Sequence, residues 1–401
     1  MFKRIARITA ALMGAAVMAL MAAGTAHAQD IRIGYNADQS GTGAAELGVA
    51  GRYGLEAAVE DINKAGGLLG RKVTAVLRDD QGQPPKSIQN VTELIDSEKV
   101  VGVLGPVNSG NALAWLHIPQ QKKIPVIVPI ATATEITRRY QNDARNFIYR
   151  VSMVDREQAA LLVAYAVKVT RNKKVAFIAD STGFGQQGTK DLEEILNLHG
   201  MKPAAVEKFG PKDTDMTSQL AKIRDSGADT VILYGLADAN AQILRSMEKI
   251  NYFPTTVGTW GNMSTPLLNI AGKKLAEHVI FATSTAEDSN PKAIELAGRV
   301  RTKYPALATF VTAAQTYDST MLLAAAITQA GTTDGAKVQI ALDDLNSPVA
   351  GVVKTYQKPF TKTNHEALDV SDFRLGRWKD GRVVTLQDDI TKSLTPGDLK
   401  K

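Results

Sequence analysis

From residue 31 onward, short runs rich in strand-forming residues alternate with longer stretches of helical period, and no other feature limits the possible folds so strongly. Strands are expected at 31–35, 73–78, 100–104, 125–128, 174–179, 204–209, 230–233 and 279–282. Connections this long and this helical suit parallel strands joined by crossovers, because antiparallel neighbours need only a tight turn. One helix is expected over 48–63, where Ala65-Gly66-Gly67 supplies a terminus and a turn, and another over 309–329, stopped by Gly331. The pattern reads as an α/β protein with two doubly wound parallel-sheet lobes.

A run ending in Phe147-Ile148-Tyr149 gives way near 150–155 to a second series of strand-helix units, read as the first passage between lobes. Residues 29–153 with 284–358 are assigned to lobe 1, and 154–283 with 359–390 to lobe 2. Three passages would make a hinge that permits rotation about one axis and resists twist and slide. A hairpin is expected around Lys379-Asp380-Gly381-Arg382, and the polar residues from 387 onward, including a tail at 391–401, are expected to be poorly ordered.

The first 28 residues run from Lys3, Arg4 and Arg7 through an apolar stretch at 8–23 to Ala26-His27-Ala28, the pattern of a secretory signal peptide cleaved after Ala28. The apolar run is shorter than the roughly 20 residues a membrane-spanning helix needs. A periplasmic location follows as the expectation, and with no cysteine in the chain neither a lipid anchor nor a disulfide is expected. Removing residues 1–28 leaves 373 residues, enough for two cores, and lowers the formal net charge from +6 to +3. Charge so slight and scattered gives no reason to expect a nucleic-acid partner.

Two strand-to-helix corners carry the functional signal. In Val101 to Gly110 a strand runs into a glycine-bearing turn with Asn108 and Ser109 at a helix start, where a hydroxyl and free backbone N–H groups suit an anion. Ser109 has a purely structural alternative as a helix cap. The second corner, Pro129-Ile130-Ala131-Thr132, also has one, because Thr132 and Glu135 stand at capping-box spacing. Neighbouring parallel strands would put both corners at the carboxyl edge where open α/β sheets bind ligands.

Gly183-Phe-Gly185-Gln-Gln-Gly188 fits a dinucleotide-binding pattern between strand and helix. Against that reading, Asp180, Ser181 and Thr182 separate the glycines from the strand, and no acid ends the next strand as a ribose partner should. The turn would instead present Phe184 to a cleft. His117, His199, His278 and His365 are widely spaced and read as surface or packing residues, so no metal, cofactor or catalysis is expected.

These segments resemble the leucine/isoleucine/valine-binding type of periplasmic receptor, which serves ABC importers. The resemblance rests on Ile31 to Gly34 with Ser40-Gly41, Asp61 to Gly67 with Gly70, Asp79-Asp80, Gly105 to Gly110, Ala131-Thr132, Arg150 to Asp155, Phe184-Gly185 and Asn269 to Gly272. It implies a monomer of type I periplasmic binding fold that closes on the carboxylate of an amino acid, of branched-chain type or similar, and delivers it to a membrane permease. It also implies that Ser109, Thr132 and the backbone at Ile130 hold the carboxylate. Where the family often has an acid for the ligand ammonium this chain has Trp260, and where it often has a tyrosine it has Phe184. An uncompensated buried ammonium is costly, so either Asp155 or Asp238 supplies the charge, or the ligand is an aromatic or other non-amino carboxylate stacked on Trp260 and Phe184. A periplasmic sensor has the same sequence demands.

Overall fold

A computed structural model describes residues 29–210, 212–305 and 309–400. The expected signal peptide, 1–28, lies outside the described residues.

Ten short strands build two parallel arrays. The first holds β1 (Ile31–Ala37), β2 (Val73–Asp79), β3 (Gly102–Leu104), β4 (Val126–Val128) and β5 (Ile148–Arg150) in the order β2-β1-β3-β4-β5. The second holds β6 (Val175–Asp180), β7 (Ala205–Phe209), β8 (Thr230–Tyr234), β9 (Thr255–Gly258) and β10 (Val279–Thr283) in the order β7-β6-β8-β9-β10. Each array therefore winds one way for its second strand and the other way from its third. The winding reverses between β1 and β3 in the first array and between β6 and β8 in the second. All of these pairings are parallel.

Helices cover both faces of such sheets, and the central strands accordingly carry continuous apolar runs, such as Val175 to Ala179 and Val231 to Leu233, rather than alternating. Every residue of β6 and of β8 is buried. The helices that matter below are α1 (Ala45–Lys64), α2 (Pro84–Asp96), α3 (Ser109–Trp115), α4 (Glu135–Arg138), α5 (Asp155–Val169), α6 (Gly183–Leu198), α7 (Ala237–Lys249), α8 (Val311–Ala330) and α9 (Asp389–Ser393). α8 lies along α1 and ends at Gly331 in the left-handed region (φ 63°), where a residue without Cβ is unstrained.

The expected hairpin is present as β13 (Arg374–Lys379) and β14 (Arg382–Thr385), which extend the second sheet antiparallel from β10. A small pair, β11 (Val349–Ala350) and β12 (Thr355–Tyr356), stands apart. The chain thus passes between the two sheets after β5, after β10 and before β13.

Two expectations need correction. Strand β9 was not foreseen: it is four residues long, and its β-branched run Thr255-Thr256-Val257 is cut short by Pro254 before it and Gly258 at its end. The segment from 387 onward is packed rather than loose. Asp388 caps α9 through the Thr391 N–H and accepts the Tyr165 hydroxyl at 2.8 Å, while Lys168 of α5 reaches the Ser393 carbonyl and Asp398. Partners supplied by another helix order a polar stretch whose own composition argues for none.

Candidate ligand-binding cleft

The carboxyl ends of the strands around the two reversal points face one another across a cleft of about 600 Å³. One wall comes from the segments after β1, β2, β3 and β4, and the other from those after β6, β7, β8 and β9. Open α/β sheets bind ligands at this position because helix N-termini and loop amides converge there while the sheet below stays rigid.

Of the residues proposed from sequence, Asn108, Ser109, Ile130, Thr132, Phe184, Asp238 and Trp260 all line this cleft. Neither corner hydroxyl caps its helix in the way spacing suggested. Ser109 is the first residue of α3, with Asn108 as the cap and no side-chain cap bond. Its Oγ instead accepts the backbone N–H of Ala133 at 3.2 Å, which ties the two corners together and leaves the hydroxyl proton free to donate. Asn108 contributes a buried Oδ1 with no hydrogen-bond partner.

Ala131 and Asp155 do not reach the cleft surface. Ala131 is buried beneath it, its carbonyl accepting the Ser152 hydroxyl at 2.8 Å. Asp155, the first residue of α5, is wholly buried behind Thr132, whose carbonyl accepts the Asp155 N–H at 2.8 Å. Burial pushes the Asp155 carboxyl up to about 7, opposed by the nearby Tyr234 and Thr132 hydroxyls. Gln158 sits beside it, and its Oε1 accepts the Trp260 N–H at 2.8 Å. A polar chain thus runs behind the cleft from one wall to the other. A residue at a helix start just past a passage looks like a cleft acid in sequence, but spacing carries no information on depth.

On the second wall, Phe184 lies in the first turn of α6 with its ring 4.8 Å from that of Tyr234. Trp260 opens the short helical turn after β9. Asp238, in the first turn of α7, crowds Gly43 of the opposite wall so closely that a methyl placed on Gly43 would lie 2.1 Å from its Oδ1. A methyl on Gly183 would come within 3.2 Å of the Gly110 Cα, so the walls also meet at the starts of α3 and α6.

The glycines of the G-x-G-x-x-G pattern serve packing. A Cβ on Gly185 would strike the Asp180 carbonyl at 2.0 Å, and one on Gly188 would lie 1.9 Å from the Tyr234 ring. Asp180 accepts from the Thr182 N–H and hydroxyl, which is how this turn is held.

Sequence reading missed the Gly41 to Ala44 loop, Gly82 and Pro84, Asp180 and Thr182, Leu236, and Lys212. One signal could have found several of them: Gly41 to Ala44, Thr182 and Leu236 follow strands next to a reversal point, and the segments after parallel strands share one edge.

Residues 30–382 match the family model described as periplasmic binding protein. The chain belongs to that family. Within it, the chain is 27% identical over 360 residues to the Leu/Ile/Val-binding protein homolog 3 of Brucella melitensis, covering 89% of this chain and 94% of that relative. Among solved structures it resembles the branched-chain amino acid transporter substrate-binding protein LivJ of Streptococcus pneumoniae in complex with isoleucine, with TM-score 0.76, 23% identity and coverage of 89% and 100%. It also resembles a solute-binding protein of an ABC transporter from R. palustris in complex with benzoate, with TM-score 0.74, 22% identity and coverage of 89% and 96%. The protein is a periplasmic solute-binding protein of type I fold.

Proposed function

We propose that this binding protein captures an α-amino acid and delivers it to the membrane permease of an ABC importer, acting as a monomer freed from its signal peptide after Ala28. The observation that carries this reading is the pairing of opposite poles across the cleft. Ser109 offers a free donor on the first wall. Of the two carboxylates on the second wall, Asp180 is engaged by its own turn, whereas Asp238 makes no hydrogen bond or ion pair among the described residues. A zwitterion would satisfy both, and a buried ammonium needs such a carboxylate.

In this reading Ser109, Thr132 and the backbone at Ile130 hold the ligand carboxylate and Asp238 its ammonium. Phe184, Trp260 and Leu236 enclose the side chain. The lobes divide as 29–153 with 284–358 and 154–283 with 359–390, and the ligand favours the closed form because it touches both. The similarity of the chain to leucine-, isoleucine- and valine-binding relatives supports the amino-acid class.

A second reading, an aromatic carboxylate, is favoured by the Phe184 and Trp260 walls, and the R. palustris structure carries benzoate. Calorimetric titration of the purified protein and of Asp238→Asn decides between them. An amino acid whose binding falls at least tenfold in the variant supports the first reading. Benzoate binding indifferent to the substitution, with no amino acid bound, overturns it.

A further inference from the structure

A second cavity, of about 570 Å³, opens beside the passages between the sheets, away from every residue assigned to the ligand above. Its walls come from the end of α4 and from Asn146, from the start of α5, and from the stretch 354–369 that leads to β13.

The charges on these walls are not balanced. Each acid is already committed within the protein. Glu366 accepts from Arg150 and Thr137, Asp369 accepts the Ser371 N–H, and Glu157 adds its negative charge against Arg150. Three of the bases are committed too, Arg156 to Glu194, Lys354 to Asp372 and Lys358 to Asp344. Arg138 and Lys362 remain: neither side chain makes a hydrogen bond or ion pair among the described residues, and the Arg138 charge acts on Asp191 only at longer range. Two unpaired cations in a recess of this volume, with the side-chain amides of Gln141 and Gln357 beside them, supply donors, while the Glu157 Oε2, an acid oxygen without a hydrogen-bond partner, is buried away from solvent.

We infer that this recess is a second binding site, selective for a small multivalent oxyanion such as a di- or triphosphate or a polycarboxylate, held chiefly by Arg138 and Lys362. An anion with charge at more than one end can satisfy both cations lining the recess, and charge-assisted bonds to planar guanidinium and flexible ammonium groups favour oxyanions over neutral polar ligands. Because the walls include both α4, beside the first sheet, and α5, beside the second, the occupant touches elements on either side of the hinge. It therefore stabilises the folded protein by mass action.

The test uses inorganic pyrophosphate, which keeps it independent of the ligand assigned to the cleft. Calorimetry at low ionic strength is expected to give one site per chain and a raised melting temperature, with Arg138→Gln/Lys362→Gln weakening binding at least tenfold. Both positions are exposed, so the double variant keeps its fold, checked by circular dichroism. The same titration on Ser109→Ala is expected to give an unchanged Kd. An absent signal, equal binding by the double variant, or loss of binding in Ser109→Ala overturns the assignment, the last by placing the anion in the cleft instead.

Discussion

Arg150, wholly buried, is gripped by Glu366 through two hydrogen bonds, Nε to Oε2 at 2.8 Å and Nη2 to Oε1 at 2.6 Å. The backbones run parallel at the same point, Arg150 N–H to the His365 carbonyl and Ala367 N–H to the Arg150 carbonyl, both at 2.9 Å. The pair therefore joins the first and third passages of the chain between the sheets. Removing one partner strands a charge away from water, so Glu366→Gln is expected to cost about 3–5 kcal/mol in urea unfolding. Arg150→Met/Glu366→Leu removes both charges, and is expected to cost less than that single change. A double variant weaker than Glu366→Gln contradicts this account.

Ser109 is expected to matter to binding more than to folding. Ser109→Ala removes the donor aimed into the cleft together with the 3.2 Å contact to Ala133, which neighbouring backbone can absorb. Loss of one hydrogen bond to a charged group corresponds to about 1.5–3 kcal/mol, or roughly a 10- to 150-fold weaker Kd by calorimetry, with a small change in melting temperature. Equal affinity in the variant removes Ser109 from the carboxylate site.

The strand-helix alternation was enough to read two parallel sheets, because strands covered on both faces show continuous apolar runs such as Val231-Ile232-Leu233. The two corners were readable for a related reason, since the turn that follows a parallel strand must lie at its carboxyl edge. What could not be read was set by tertiary partners. Asp155 and Asp238 both occupy the first turn of a helix, yet one is sealed behind Thr132 and the other faces Gly43. Lys212 enters the cleft from a loop with no motif of its own, and the order of the tail depends on Tyr165 and Lys168, more than 200 residues away in sequence.

Gly188→Ala tests whether the G-x-G-x-x-G pattern is a packing device. The added methyl would overlap the wholly buried Tyr234 ring, which is also held against the Asp155 carboxyl, so helix α6 must move outward. Overpacking of this kind typically costs about 1–3 kcal/mol. Chemical denaturation is expected to show that loss, and addition of NAD is expected to change the melting temperature of neither protein. An unchanged midpoint for the variant would mean that α6 is not packed as described.

Asp155 gives the protein a pH dependence whose sign can be worked out. Burial disfavours the charge and pushes its carboxyl from the ordinary 3.8 up to about 7 in the folded state. Between those values the folded state holds a proton that the unfolded chain has released, so stability falls as pH rises from about 4 to about 7 and levels off above. Asp318, also raised to about 7 by burial, contributes in the same window, so a variant in which Asp155 alone is replaced is expected to keep part of this slope. Asp155→Asn keeps the shape of the neutral acid and removes its titration. Urea unfolding at pH 4.5, 6 and 8 is therefore expected to show a shallower decline for the variant, the difference reaching on the order of a few kcal/mol at pH 8. Parallel profiles for the two proteins would mean that Asp155 is as easily ionised in the fold as in water, and the polar chain from Thr132 to Trp260 would then have to hold a carboxylate rather than a neutral acid.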